Sequence, residues 1–296
     1  MRSTICSVNR TLIFRRIAAI AAIACAAYVA SAQSDYIGFD RNNYPGDAAL
    51  PTLRKTFAYA SYWLNNPPGE SHNTWTGKRK LFEQLGFGFL VLFNGRLDAQ
   101  LQGGDATALG TADGRAAVNA ARREGFPSNI RIFLDQEEGG RLLPEQAAYL
   151  FAWIDVVQAA GARAGVYCSG IAARENHGSI STAQDVAKRL ASWHHGEAVR
   201  RSPRNHVALW VANDACPPSP GCTVNTPPLR SLKLSVEPAI LSVWQYAQSP
   251  RRKQFSAACP RNQAPDGNCY APGLPAGQNS FVDLDVADSP DPSKEP

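Results

Sequence analysis

Short runs rich in β-branched and aromatic residues recur along the chain, and the stretches between several of them carry apolar residues at helical spacing. The runs are "YIGFD" (36–40), "TFAYASYWL" (56–64), "GFLVLFN" (88–94), "IRIFLD" (130–135), "AGVYCS" (164–169), "VALWVAN" (207–213), "ILSVWQY" (240–246) and "FVDLDV" (281–286), which makes eight predicted strands. The helical stretches are "KRKLFEQLG", "GRAAVNAARREG", "PEQAAYLFAWIDVVQAAG" and "TAQDVAKRLASWHHG", and most end at or just before a glycine stop. Alternating strand and helix predicts an α/β protein whose parallel sheet closes as a (β/α)8, TIM-like barrel, a fold of about 250 residues. The last third is poorer in helix. Residues 214–238 and 247–280 are rich in Pro and Gly, so long loops are expected to replace helices there. The closing "DSPDPSKEP" has no apolar face and reads as a disordered tail.

The N-terminus belongs to a different class of sequence. Arg2, Arg10, Arg15 and Arg16 precede "IAAIAAIACAAYVA", and Ala30 to Ala32 offer small residues for cleavage, the pattern of a signal peptide spanning residues 1–32. The apolar run is shorter than the roughly 20 residues a membrane span needs. Its removal takes the formal charge from +5 to +1, so the basic balance lies mostly in the targeting segment and implies no nucleic-acid face. The runs "RRSPR" and "SPRRK" read as solvated loops. The expected protein is secreted or periplasmic, monomeric and without a stable membrane anchor; residues 33–288 form its barrel domain and 289–296 its tail. In an oxidising compartment "CPPSPGC" and "CPRNQAPDGNC" suggest two short-range disulfides, Cys216 to Cys222 and Cys259 to Cys269, although four cysteines allow three connectivities. Cys168, inside a strand pattern, reads as a buried thiol.

In such a barrel the chemistry gathers at the C-terminal ends of the strands. Those ends carry Asp40, Tyr62, Asn94, Asp135 with Glu137, Tyr167, Asn213 with Asp214, Gln245 with Tyr246, and Asp283 with Asp285. Acids, amides and aromatics on one rim suit a sugar, which needs hydrogen-bond partners for its hydroxyls and rings to stack on. In extended backbone Asp135 and Glu137 leave on the same face, roughly 7 Å apart at Cα, while Glu138 faces the other way. Two carboxylates on one face are the minimum for glycoside hydrolysis: one protonates the leaving oxygen, the other stabilises positive charge at the anomeric carbon. Gly139 and Gly140 let the following loop turn away without crowding a bound sugar.

"YIGFD", "FLDQE", "GVYCSG", "LWVAND", "VWQYA" and "VDLDV" resemble, in order, the strand motifs of the glycoside hydrolase family 25 lysozymes, and most closely the bacterial glycoside hydrolase-like domains of unknown function related to them. The resemblance spans residues 36–286. It implies cleavage of the β-1,4 bond after N-acetylmuramic acid in peptidoglycan, with Glu137 as general acid. Asp135 would orient the substrate N-acetyl group or stabilise an oxazolinium, and Asp40 and Asp283 would tune and position. Tyr167, Trp210, Trp244 and Tyr246 would stack on or hydrogen-bond the glycan, and no metal or organic cofactor is implied. The second strand, "FAYASYWLNNPPG", lacks the Lys-x-Thr-Glu-like stretch of the lysozymes, which keeps open a non-catalytic barrel that binds envelope glycan.

Other patterns carry less. His194 and His195 are helix neighbours about 100° apart, a poor chelate, and no metal site is expected. "YCSG" has Tyr167 where a nucleophile elbow needs glycine. "GGDATALGTADG" lacks the Lys-Ser/Thr of a phosphate loop and is expected to precede a helix. Trp63, Trp153 and Trp193 read as packing residues.

Overall fold

Each of the eight hydrophobic runs becomes a barrel strand in a computed structural model of the chain, which describes residues 35–193, 206–215, 220–252, 254, 266–277 and 280–294. The N-terminal segment read as a signal, Cys216, Cys259, His194 and His195, and the side chain of Trp193, lie outside the described residues. The barrel strands are β1 (Tyr36–Asp40), β2 (Tyr59–Trp63), β3 (Gly88–Asn94), β4 (Arg131–Gln136), β5 (Arg163–Ser169), β8 (Ala208–Ala212), β9 (Ile240–Ala247) and β10 (Asp283–Ala287). They close in the order β1-β10-β9-β8-β5-β4-β3-β2. A hairpin that periodicity did not signal, β6 (Ala173–Glu175) with β7 (Gly178–Ile180), stands outside the barrel; its three-residue strands are too short to show a period.

Strands β1 to β5, β8 and β9 are parallel to their neighbours, but β10 runs antiparallel to both β9 and β1. This corrects the all-parallel expectation. A parallel neighbour needs a crossover that carries the chain back to the other end of the barrel, usually a helix. The 248–282 segment instead connects β9 to β10 at the same end, and its described residues Gln248, Ser249, Pro250, Phe281 and Val282 line the mouth. The chain then leaves β10 at the bottom.

That exit explains why the tail read as disordered is ordered over residues 288–294. Ser293 O accepts from the Arg131 backbone N–H (2.9 Å), Pro292 O from Arg131 Nη1 (2.8 Å) and Asp291 Oδ1 from the Phe89 N–H (3.0 Å). The tail thus binds the starts of β3 and β4 through two backbone carbonyls and the Asp291 carboxylate, polar contacts that have no hydropathy signature.

The described helices are α1 (Leu50–Leu53), α2 (Arg79–Gln84), α3 (Asp98–Leu101), α4 (Ala106–Arg123), α5 (Pro144–Ala159) and α6 (Thr182–Trp193). Helix α4 begins well before the predicted start because the Asp105 carboxylate caps it, accepting from the Ala108 N–H at 3.0 Å. The "GGDATALGTADG" stretch is therefore mostly helix rather than its prelude. Pro144 opens α5, where its missing N–H costs nothing. After β8 only a 3-10 turn at Leu229–Ser231 replaces a crossover helix among the described residues.

The barrel interior packs small residues against rings. The Tyr59 ring fills the space left by Gly38, where an added Cβ would lie 1.9 Å from it, and Phe133 lies likewise over Gly165 at 2.4 Å. Between barrel and helices, Phe39, Phe57, Phe82 and Phe87 form one aromatic cluster with centroids 5.0 to 6.4 Å apart. Each fully buried ring contributes about 2 to 3 kcal/mol of transfer free energy. Cys222 is bonded to Cys269, 47 residues away, which overturns both expected short-range pairings: the bridge staples two different mouth loops rather than closing either on itself. Cys168 is a buried free thiol whose pKa burial raises, so it is no nucleophile. Among the described residues no helix is long and apolar enough to cross a membrane.

Candidate active site

The mouth of the barrel holds a cleft of about 520 Å³, and strand alternation decides which side chains enter it. Asp135, the penultimate residue of β4, pairs across the ladder with Asn94 and Tyr167; Glu137 stands just past the strand end. Both line the cleft. Glu138 faces away as expected: its Oε2 accepts from the Asp98 N–H (2.7 Å) and Gln146 Nε2 (2.6 Å), tying the starts of α3 and α5 together.

Asp40 and Asp283 complete the acidic floor. They are direct partners across the β1–β10 ladder, a juxtaposition that exists because β10 is reversed and presents its first residue to the mouth. Asp285, two residues deeper on the same face, is fully buried, and its carboxyl interacts with that of Asp40. Beneath these acids runs a fixed relay. Tyr167 Oη and Gln248 Nε2 both donate to Gln245 Oε1 (2.9 and 2.6 Å), which turns the Gln245 amide nitrogen onto Asp40 Oδ2 (2.7 Å). Trp210 Nε1 donates to Asp285 Oδ1 (2.8 Å), and the Ser249 N–H to Asp283 Oδ1 (2.5 Å).

The carboxyls hold protons more tightly than ordinary acids. Burial raises Asp40 to about 6, with Glu137 adding to the rise and the bonds to Gln245 and Asp285 opposing it. Asp135 is pushed well up by burial and then by the charges of Glu137 and Asp40. Asp283 and Asp285 rise by burial and by Asp40. Glu137 is raised by desolvation, partly offset by Arg252. Like charges gathered in a low-dielectric cleft titrate as a group, so near neutral pH the cluster carries fewer negative charges than it has carboxyls. Asp135 Oδ1 is buried with no hydrogen-bond partner among the described residues, a polar atom left for a ligand to satisfy.

The remaining expected site residues divide by strand parity. Tyr167 and Trp210 line the cleft, ring centroids 4.8 Å apart and edge to face. Gln245 lies one layer below. Tyr62 does not reach the mouth: it points into the helix layer, bonded to Glu124 and packed on Trp75 and Phe126. Its neighbour Trp63, read as packing, lines the cleft instead, its indole N–H on Arg41 O at 3.1 Å. Trp244 and Tyr246 flank Gln245 and so face outward, donating to Asn213 O (2.9 Å) and Thr223 O (2.6 Å). Asn94 braces Asn65 and Asn66, and Asp214 is buried near Arg252, its carboxyl raised by desolvation. Counting parity inward from Asp135 and Tyr167 separates Trp63 from Tyr62 and Gln245 from its neighbours; pattern reading that took strand ends whole did not. Arg252, in the run read as a solvated loop, adjoins Glu137. Trp75 is core, packed on Tyr44 and Phe82.

A second pocket of about 430 Å³ meets the first at Glu137 and Tyr167. Among the described residues no group of three or more His, Cys, Asp or Glu is arranged to hold a metal ion.

A crystal structure of an uncharacterized B. stearothermophilus protein is similar over 85% of this chain and 95% of its own, at 20% identity and a TM-score of 0.54, a likeness of fold. The Tat-secreted protein Rv2525c of Mycobacterium tuberculosis, solved with L-tartrate, aligns over 84% of this chain and 94% of its own (12% identity, TM-score 0.48). A family 25 glycosyl hydrolase from Bacillus anthracis aligns over 85% and 88% (13% identity, TM-score 0.43). No curated protein matches the sequence. The profile of the Rv2525c-like, glycoside hydrolase-like domain matches residues 65–217, more than half of the chain, and the protein belongs to that family.

Proposed function

We propose that the protein is a secreted glycan hydrolase acting on the β-1,4-linked, N-acetylated backbone of peptidoglycan, with Glu137 as general acid. The observation that carries this reading is the convergence of Asp135 and Glu137 on one cleft, opposite Asp40 and Asp283 and walled by Trp63, Tyr167 and Trp210. Glu137 is exposed at the rim, where a glycosidic oxygen can reach it, and desolvation shifts its pKa upward, the direction a general acid needs. Asp135 lies deeper, with an unsatisfied oxygen suited to the N–H of a substrate acetamido group. In that geometry the acetamido oxygen attacks the anomeric carbon as the glycosidic C–O bond breaks and the Glu137 proton passes to the leaving oxygen. Glu137, now a carboxylate, takes a proton from the water that opens the oxazolinium. Asp40, which ionises above about pH 6, supplies negative charge toward the positive charge that develops, with Asp283 positioned beside it. The N-terminal segment read as a signal and the Cys222–Cys269 bridge both suit an oxidising compartment.

Turbidity clearing of purified peptidoglycan tests the assignment. Glu137→Gln is expected to lower the rate by about 100-fold or more, and Asp135→Asn by a similar factor. Equal rates in wild type and both variants would falsify it. The absence of the Lys-x-Thr-Glu-like stretch from the second strand favours a second reading, a barrel that binds glycan without cutting it; no clearing by wild type together with retained sedimentation on peptidoglycan selects that reading.

A further inference from the structure

Asp283 opens β10 at the mouth, and two separate routes of hydrogen bonds lead from it to one cysteine. The Ser249 N–H donates to Asp283 Oδ1 (2.5 Å), while the Ser249 hydroxyl accepts from the Cys269 N–H (2.6 Å) and donates to Cys269 O (3.3 Å). A hydroxyl can do both at once, so one side chain grips both polar groups of Cys269. Cys269 O also accepts from the N–H of Val282 (3.1 Å), the residue just before Asp283. Nearby, the Arg251 N–H donates to Asn268 Oδ1 (2.7 Å) and Tyr270 pairs with Phe281. Cys269 is bonded in turn to Cys222, and the carbonyl of adjoining Thr223 accepts from Tyr246 Oη (2.6 Å), which fastens the mouth segment to the outer face of β9.

Around Asp283 stand Asp40 and Arg41 at the end of β1, Tyr167 on β5, Asp214 after β8, Arg252 on the loop that carries Ser249, and Asp285 on its own strand. Burial and then the charge of Asp40 raise its pKa, and the Ser249 N–H opposes them. The bridge itself can be reached: both its cysteines line a cavity of about 230 Å³ with Tyr270 and Leu284, and Cys222 is the more exposed of the two.

Resting on the hydrolase reading above, we propose that Ser249 is a positioning residue that sets Asp283 in the cleft, and that the Cys222–Cys269 bridge holds Ser249 there, so that the site reaches full rate only while the bridge is oxidised. A dithiol reverses the bridge. One thiolate attacks Cys222 Sγ, the sulfur–sulfur bond breaks, and Cys269 leaves and takes up a proton. The second thiol then displaces Cys222 from the mixed disulfide, so that two electrons and two protons pass to the protein and the dithiol closes as a cyclic disulfide.

The substrate for the test is soluble, uncrosslinked peptidoglycan, and the rate is read as reducing ends released. Ser249→Ala is expected to lower kcat about tenfold with KM within about twofold, and Ser249→Thr, which keeps the hydroxyl, to recover most of the loss. Wild type treated with dithiothreitol is expected to lose kcat likewise and to regain it on reoxidation. A variant carrying both Cys222→Ser and Cys269→Ser starts at the lower rate and does not respond. Carbon-13 titration of the Asp283 carboxyl, assigned by Asp283→Asn, reads the same position without turnover, and its midpoint is expected to move up in Ser249→Ala and on reduction. Gly88→Ala, at the start of β3 on the opposite end of the barrel, controls for lost stability and is expected to move neither readout. Unchanged kcat in Ser249→Ala, an unchanged Asp283 midpoint, or effects as large in Gly88→Ala overturn the assignment; a full rate in reduced wild type overturns the part given to the bridge. Failure of the hydrolase reading is registered separately: wild type that leaves peptidoglycan uncut, while the midpoint still moves with Ser249 and with the bridge, removes the reaction and keeps the positioning of Asp283.

Discussion

The two ends of the barrel are built on opposite principles. At the bottom, the tail after β10 brings carbonyls and a carboxylate to donors that need them: Arg131 receives Ser293 O and Pro292 O, Phe89 receives Asp291, and Asp291 is itself held by Ser293 Oγ and Lys294. At the top, four carboxyls line one cleft with Asp285 buried beneath them, burial opposes their ionisation, and Asp135 has an oxygen with no partner among the described residues. Both ends bury polar groups and bond most of them from within the chain, but at the top the partnerless oxygen belongs to an acid that lines an open cleft. The top holds its groups ready for something else, which is how a site stores the free energy it later uses on a ligand.

The strongest way to break this contrast is to remove the bottom seal. Truncation after Ala287 takes both acceptors from the buried Arg131 side chain and backbone, and is expected to cost about 4 kcal/mol, a fall of about 10 °C in Tm. Activity below that temperature is expected to stay within about twofold, since bottom-face groups act on stability. Calorimetry and peptidoglycan clearing on the same preparation check both halves; a larger loss of activity than of stability would show that the two ends are coupled.

The second test sharpens the top. Asp40 has a pKa of about 6 in the folded chain against 3.8 ordinarily. Below pH 4 it is protonated in both states and costs nothing. As pH rises through 6, the folded chain must ionise a buried group that the unfolded chain has already ionised, so stability falls. The full difference is about 3 kcal/mol, roughly half of it between pH 5 and pH 7.5. Urea denaturation at those two pH values is expected to show the protein more stable at the lower one, and Asp40→Asn is expected to flatten the slope. A slope of opposite sign would mean that the cluster does not retain its protons.

The smallest effect comes from one methyl at each end. A Cβ at Gly88 would lie 2.1 Å from Pro290 O and 2.6 Å from Asp291 Cα, whereas one at Gly139 stays 3.8 Å from its nearest neighbour. Gly88→Ala is expected to cost about 2 kcal/mol by forcing the tail off the barrel, and Gly139→Ala less than about 0.5 kcal/mol. Thermal denaturation of the pair reads the asymmetry directly.

Much of the architecture was legible because strands announce themselves locally. All eight runs are strands, and the separation of Asp135 and Glu137 from Glu138 follows from alternation alone. The site's membership was less legible. Trp63 and Tyr62, like Gln245 and its two neighbours, differ by one residue in position and by a whole layer in location, so the face must be counted from a fixed inward residue rather than taken from the strand end. Arg252 sits in a charged run with no periodicity to mark it, and the partner of Cys222 lies beyond the nearest cysteine in the sequence.

By itself the sequence determined the eight strands, the glycan-suited mixture of side chains at their ends and the inward pair Asp135 and Glu137, because these depend on interactions between residues close in the chain. Only the tertiary structure decided that β10 is reversed, that Asp40 therefore faces Asp283, that the tail seals the bottom, and that a second pocket opens beside Glu137. Each of these depends on where distant segments meet as the barrel closes, and closure is set by backbone hydrogen bonds that any residue can make.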